Sequence, residues 1–230
     1  MKTNPTILAI ETATSSCSVA LCHQTHTYTR DQVGNNVHSK VLLEMVSEVL
    51  AQAGINASGI DAVAVGQGPG SFTGLRIGVG VAQGIAYGAG VPMVGISSLD
   101  ALAYQAVGQD RVIAGIDARM GEIYWCEYIK NSDGVERVGE LTVSPPNAIL
   151  SGASTDDSIQ LVGNAWAEYE GQFDSTLMQK ARIDNTQIYP MADSLLQLAQ
   201  FAYQRNELIS AVDFAPEYVR NDVAKKSTKK

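Results

Sequence analysis

The sequence predicts an α/β protein of two lobes with mixed sheets, and three observations predict it. A strand, strand, strand, helix, strand, helix succession occurs twice, without obvious identity between the copies. With 230 residues, 45% of them apolar and 17% charged, the chain can bury substantial cores. A glycine-rich turn, Gly66-Gln67-Gly68-Pro69-Gly70-Ser71-Phe72-Thr73-Gly74-Leu75-Arg76, joins a strand-like run to a helix-like run in the first copy.

Residues 6–11, 17–22 and 25–31 are short strand-like runs with tight polar connections, which predicts a meander. A helix follows over 38–53, then a strand over 62–66, the glycine turn, a helix over 75–88 capped by Ser71 or Thr73, a strand over 93–96, and a helix capped by Ser97 or Ser98. The second copy runs as strands over 111–117, 122–130 and 136–143, a short helix opened by Pro145-Pro146, a strand over 159–162 and a helix over 193–205. Loops flank the short helix within 144–158, residues 174–191 read as irregular, and 215–220 as a short ordered segment. The hinge falls at Val107-Gly108-Gln109-Asp110. This gives a first lobe of 1–107, a smaller second lobe of 108–222 and a basic tail of 223–230.

The formal charge is −8, but Lys225, Lys226, Lys229 and Lys230 stand among the last six residues, and the chain before them carries 12 basic against 24 acidic groups. Such a surface repels a phosphate backbone, which argues against unaided nucleic-acid binding by the folded part. The tail reads as a solvated end, or as a contact to RNA held by another protein. No run of about 18 apolar residues occurs and the N-terminus leads straight into a strand, so the expectation is a cytoplasmic protein without membrane contact. Cys17 and Cys22 lie five apart on one strand and face opposite sides, and Cys126 sits in another apolar strand. Without C-x-x-C spacing, all three read as small core residues.

The helices beside the glycine turn carry more apolar surface than one core face needs. Val41, Leu42, Leu43, Met45, Val46, Val49, Leu50 and Ala53 spread over about 200° of the first. In the second, Arg76, Gln83 and the Tyr87 hydroxyl are the polar groups, and two glycine ridges, Gly74/Gly78 and Gly80/Gly84/Gly88, let a neighbouring backbone approach closely. Each ridge can pack on the sheet or on another chain. The surplus apolar surface points to a protein–protein interface formed by both helices.

The first strand ends in a carboxylate and a hydroxyl-rich turn, Ile10-Glu11-Thr12-Ala13-Thr14-Ser15-Ser16. This resembles the first phosphate loop of the actin-like and sugar-kinase-like ATPase superfamily, a fold of two ribonuclease-H-like lobes. Members usually carry an aspartate with a nearby glycine; here Glu11 stands instead and no glycine follows, which puts metal-assisted phosphate binding in doubt. Glu11, Thr12, Thr14, Gly68, Gly70 and Ser71 are therefore candidates for a vestigial nucleotide loop only. Asp117 and Arg119, at the equivalent turn of the second copy, read as a local ion pair or as a contact to a nucleotide or partner.

Groups for catalysis are scarce. His38 opens a helix, but its i+4 position is Leu42, so no metal pair forms, and His23 and His26 flank a hairpin turn without further ligands. There is no G-x-S-x-G elbow, no histidine base for Ser71 and no Walker P-loop. No catalytic residue, metal or cofactor is assigned, which favours a binding or scaffold role.

Ile7-Leu8-Ala9-Ile10-Glu11-Thr12-Ala13-Thr14, the block from Gly66 to Gly78, Ile116-Asp117-Ala118-Arg119-Met120-Gly121-Glu122-Ile123-Tyr124-Trp125 and Pro216-Glu217-Tyr218-Val219-Arg220-Asn221 together resemble the bacterial TsaB family, formerly YeaZ. The resemblance spans essentially the whole chain, and Pro-Gly-Ser-Phe-Thr-Gly is its most specific block. It implies a cytoplasmic, non-catalytic subunit needed to make threonylcarbamoyladenosine beside the anticodon of tRNAs reading codons that begin with adenine. The implied partners are the related catalytic subunit TsaD, the P-loop ATPase TsaE and, for the chain alone, a second copy, with tRNA reached only through the complex. The two helices would carry the partner face, at His38, Leu42, Met45, Val46, Val49, Leu50, Arg76, Val79, Gly80, Gln83, Gly84 and Tyr87. The absent partner for His38 agrees with loss of the TsaD-type metal site. A nucleotide-dependent transferase or peptidase of the same fold is the alternative, and it requires ATP in the cleft between lobes.

Overall fold

Each half of the chain builds the same five-stranded sheet. In a computed structural model that describes residues 2–132, 134–149, 158–186 and 188–219, the elements are β1 (Ile7–Glu11), β2 (Ser16–His23), β3 (His26–Val33), α1 (His38–Ala53), β4 (Ala62–Gly68), α2 (Phe72–Ala89), β5 (Met93–Ser97) and α3 (Ser98–Gln105). The second half continues with β6 (Arg111–Asp117), β7 (Ile123–Asn131), β8 (Gly134–Ser144), β9 (Ile159–Val162), α4 (Ala165–Glu168), α5 (Ser175–Lys180), β10 (Ala181–Ile183) and α6 (Ala192–Gln204). The strand orders are β3-β2-β1-β4-β5 and β10-β9-β6-β7-β8. In both, an antiparallel meander is extended by two parallel strands. The predicted α/β class with two mixed sheets is the observed one.

Burial explains the strand pattern. β1 is buried along its whole length because helices cover both faces of its sheet, and its side chains alternate between two cores. Leu8 and Ile10 join the core under α1 and α2, while Ile7 and Ala9 join the core under α6. Cys17 and Cys22 fall into opposite cores, as their odd spacing requires. β3, at the edge, alternates between exposed and half-buried positions.

Helices pack across the 107/108 boundary in both directions. α6 packs on β1, β2, β4 and β5, so residues 192–204 cover the first sheet although they follow the second in sequence. Conversely α3, encoded before the boundary, buries Leu99, Leu102 and Ala103 against Val112 and Tyr128 of the second sheet. Each half lends a helix to the other, because each sheet has two apolar faces to cover. The tail assigned to 223–230 and most of the loop within 144–158 lie outside the described residues.

Smaller differences concern local signals. α2 starts at Phe72 rather than Leu75, with Ser71 as its cap: the Gly74 N–H donates to Ser71 Oγ at 3.3 Å. The strand before it runs on to Gly68. The segment expected to be irregular contains α5 and β10, which are too short to show a period. The Pro145-Pro146 element is a single 3-10 turn, Pro146–Ala148.

Candidate functional site

The two loops that resemble phosphate loops are closed against each other. The Ser71 N–H donates to the Ala13 carbonyl at 2.7 Å, and the Thr12 hydroxyl donates to the Gly74 carbonyl at 2.9 Å. A Cβ at Gly70 would collide with the Ala13 carbonyl, and one at Gly74 with the Thr12 carbonyl. Glycine is therefore required here for backbone-to-backbone packing. Glu11 is fully buried behind them, accepting from the Ala13 N–H at 2.7 Å and the Ser98 hydroxyl at 2.8 Å. Burial pushes its carboxyl up to about 7, only partly offset by those hydrogen bonds.

A cleft of about 560 Å³ opens between the sheets. Of the six loop candidates, Thr14, Gly70 and Ser71 reach its wall, whereas Glu11, Thr12 and Gly68 do not. Among the described residues, Arg119 is the one Lys or Arg in the wall, and it pairs with Asp117 at 3.2 Å, as the sequence suggested. Asp117 also receives the Arg119 N–H at 2.8 Å and the Tyr169 hydroxyl at 2.7 Å, which holds a turn in which Arg119 and Met120 both have φ of 61°. The described residues contain no group of three or more His, Cys, Asp or Glu able to hold a metal. The wall thus offers hydroxyls and amides but little positive charge for a triphosphate.

The helix pair divides its residues between core and surface, and part of the partner face assigned from sequence turns inward. Leu42, Met45, Val46, Val49 and Val79 lie in the core against the sheet, and His38 is buried, its Nε2 without a hydrogen-bond partner among the described residues. The physical reason is that the sheet beneath α1 and α2 is apolar and wide, so it takes a broader arc of each helix than the minimum core face. Arg76, Gly80, Gly84 and Tyr87 are exposed, and Leu50 and Gln83 are half-buried. The two glycine ridges part ways: Gly74 and Gly78 press on Thr12, while a Cβ at Gly80, Gly84 or Gly88 would meet nothing within 4 Å. Leu43, 65% exposed, and Phe72, 47% exposed, are open as well, and neither was among the residues assigned to the partner face from sequence. Leu43 lies about 140° around the helix from Glu48, whose carboxylate is held by Arg30 of β3, so it stands on the side of α1 away from that strand.

A C-terminal strap, residues 209–219, crosses α2. Gln83 Nε2 donates to the carbonyls of Ala211 at 2.9 Å and Phe214 at 3.0 Å, which fastens the strap to α2. The strap begins with the Met93–Ile209 bridge and ends where the Glu217 N–H donates to the Gln67 carbonyl at 2.8 Å. Tyr218 then packs on Phe72 with ring centroids 5.7 Å apart. No described helix is long and apolar enough to cross a membrane.

Comparison with known proteins bears on this architecture. Residues 32–228 match the family model described as TsaD, tRNA N6-adenosine threonylcarbamoyltransferase. The chain is 36% identical to the tRNA threonylcarbamoyladenosine biosynthesis protein TsaB of Haemophilus influenzae, covering 96% of this chain and 95% of the relative. It is likewise 36% identical to the protein of that name from Escherichia coli, with 95% and 96% covered. Among solved structures it is similar to YeaZ from Pseudomonas aeruginosa, with a TM-score of 0.85 and 36% identity, covering 93% of this chain and 99% of that one.

Proposed function

The chain belongs to the TsaB (YeaZ) family, whose members serve tRNA threonylcarbamoyladenosine biosynthesis, and from that premise we propose that it is a non-catalytic subunit that docks a TsaD-like threonylcarbamoyltransferase. The observation that carries this is the open face of α2, an exposed stripe of Phe72, Arg76, Gly80, Gly84 and Tyr87 that is glycine-lined at its centre, with Leu43 of the neighbouring α1 exposed as well. Bare glycine backbone admits a second helix at close range, and exposed aromatic and leucine side chains lose water when it arrives. Because the chain itself matches the TsaD family model, a TsaD-like partner is built on the same plan. Like helix pairs can then meet about a pseudo-two-fold axis, and two copies of this chain can meet the same way when no partner is present. A TsaE-like ATPase joins the pair, and tRNA is held by the assembly, consistent with the acidic charge of the chain.

The test is reconstituted tRNA modification with the TsaD-like and TsaE-like proteins of the same organism, with and without this chain. Full activity without it overturns the proposal. The alternative, a nucleotide-dependent transferase or peptidase of the same fold, requires ATP in the cleft; calorimetry with ATP and magnesium separates the two, because tight binding with turnover by the isolated chain is required by the alternative and excluded by the proposal.

A further inference from the structure

α2 carries a single charged residue, Arg76, at the end of its exposed stripe. The guanidinium lies over the Phe72 ring, 3.7 Å from the centroid, and its Nε donates to the Tyr218 hydroxyl at 3.3 Å. Among the described residues no carboxylate pairs with it, although the chain holds 24 acidic side chains against 16 basic ones. Phe72 and Tyr218 are each about half exposed. An arginine flattened on aromatic rings is held in one geometry before any partner arrives, and its outward N–H groups remain available for a carboxylate. Tyr218 reaches this position only because Gln83, Gln67 and Met93 fasten the strap along α2 and β4–β5. The pad is thus assembled from two distant parts of the sequence, and it is continuous with the glycine stripe through the spacing 72, 76, 80, 84.

We propose that the strap completes the docking face, and that the Phe72–Arg76–Tyr218 pad is its specificity anchor, receiving a carboxylate at the end of an otherwise small and apolar partner helix. This rests on the docking reading above and names the chemistry of the partner surface. Arg76 supplies the charge, Phe72 and Tyr218 fix its direction, and the glycine stripe supplies close approach. Tyr218 also lines the inter-lobe cleft together with Glu217 and Val219, so the same segment is shared between cleft and docking face.

The experiment titrates the full-length chain with the TsaD-like subunit by calorimetry at about 50 and 500 mM salt, since a desolvating ion pair at an interface rim is screened across that range. Arg76→Met keeps the stem over Phe72 and removes the charge; Phe72→Ala and Tyr218→Ala remove the rings; Gly84→Arg blocks the stripe. The expected result is a Kd raised about tenfold or more by Arg76→Met, with most of the wild-type salt dependence abolished, and comparable weakening by Tyr218→Ala, all at unchanged melting temperature. If Arg76→Met and Tyr218→Ala bind within about twofold of wild type with the salt dependence intact, while Gly84→Arg abolishes binding, the anchor is wrong and docking stands. If Gly84→Arg also binds normally, the docking face itself is wrong.

Discussion

The Ser98 hydroxyl, in the first turn of α3, donates a 2.8 Å hydrogen bond to the carboxylate of Glu11 at the end of β1. Both residues are fully buried, so this contact ties the first sheet to the helix that continues into the second sheet's core. A Cβ at Gly66 would overlap the same carboxylate, so β4 is fitted to it as well.

Stability should respond to pH through Glu11. Its folded-state value, raised to about 7 from 4.5 by burial, means that the unfolded chain gives up the proton first as pH rises. The contribution is unaffected below pH 4.5, falls as pH rises from there to about 7, and is flat above. Glu11→Gln removes the ionisable group at nearly constant volume. Relative to wild type it should gain on the order of 3 kcal/mol between pH 4 and pH 8 in denaturant unfolding. A difference between the two proteins that does not change with pH would show that Glu11 does not titrate in this range.

The glycine ridges should give opposite signs on substitution. Gly74→Ala drives a methyl group into the Thr12 carbonyl and should destabilise by about 2 kcal/mol or more. Gly84→Ala enters open space on a helix and should stabilise by up to about 1 kcal/mol. Thermal unfolding of the two variants checks the contrast, and equal effects would contradict the separation of the ridges.

Charge on α1 should likewise divide by face. Val46→Asp places a carboxylate in the core, where Val46 is 5% exposed, and should cost about 3 kcal/mol or more. Leu43→Asp should leave the fold within about 0.5 kcal/mol of wild type while weakening partner binding. Size-exclusion of each variant with the TsaD-like subunit, alongside circular dichroism, reports both properties; a folded Leu43→Asp that assembles as wild type removes α1 from the docking face.

Asp117→Ala should loosen the turn after β6, since Arg119 and Met120 hold positive φ against the preference of L-residues and Asp117 accepts from both Arg119 and Tyr169. A loss of about 1–2 kcal/mol is expected. Faster amide exchange confined to residues 118–122 would locate it; unchanged exchange there would mean the turn is held by its other contacts.

By itself the sequence determined the two mixed sheets, because a meander followed by helices and parallel strands leaves a period-two and period-3.6 pattern in each half. It also determined that Cys17 and Cys22 face separate cores, and it offered Ser71 as a cap of α2 and Asp117–Arg119 as an ion pair, readings that depend on residues close in the chain. The tertiary structure decided the rest. Periodicity shows how wide an apolar arc is but not which part a sheet will cover, so Leu42, Val49 and Val79 went to the core while Leu43 and Phe72 stayed outside. The glycine turn could not reveal its own neighbour, and only the tertiary structure packs it on the backbone of Thr12 and Ala13, more than fifty residues away. Nor could one half announce that its sheet would be covered by a helix from the other. Those outcomes rest on contacts between distant segments, which local pattern does not encode and packing alone selects.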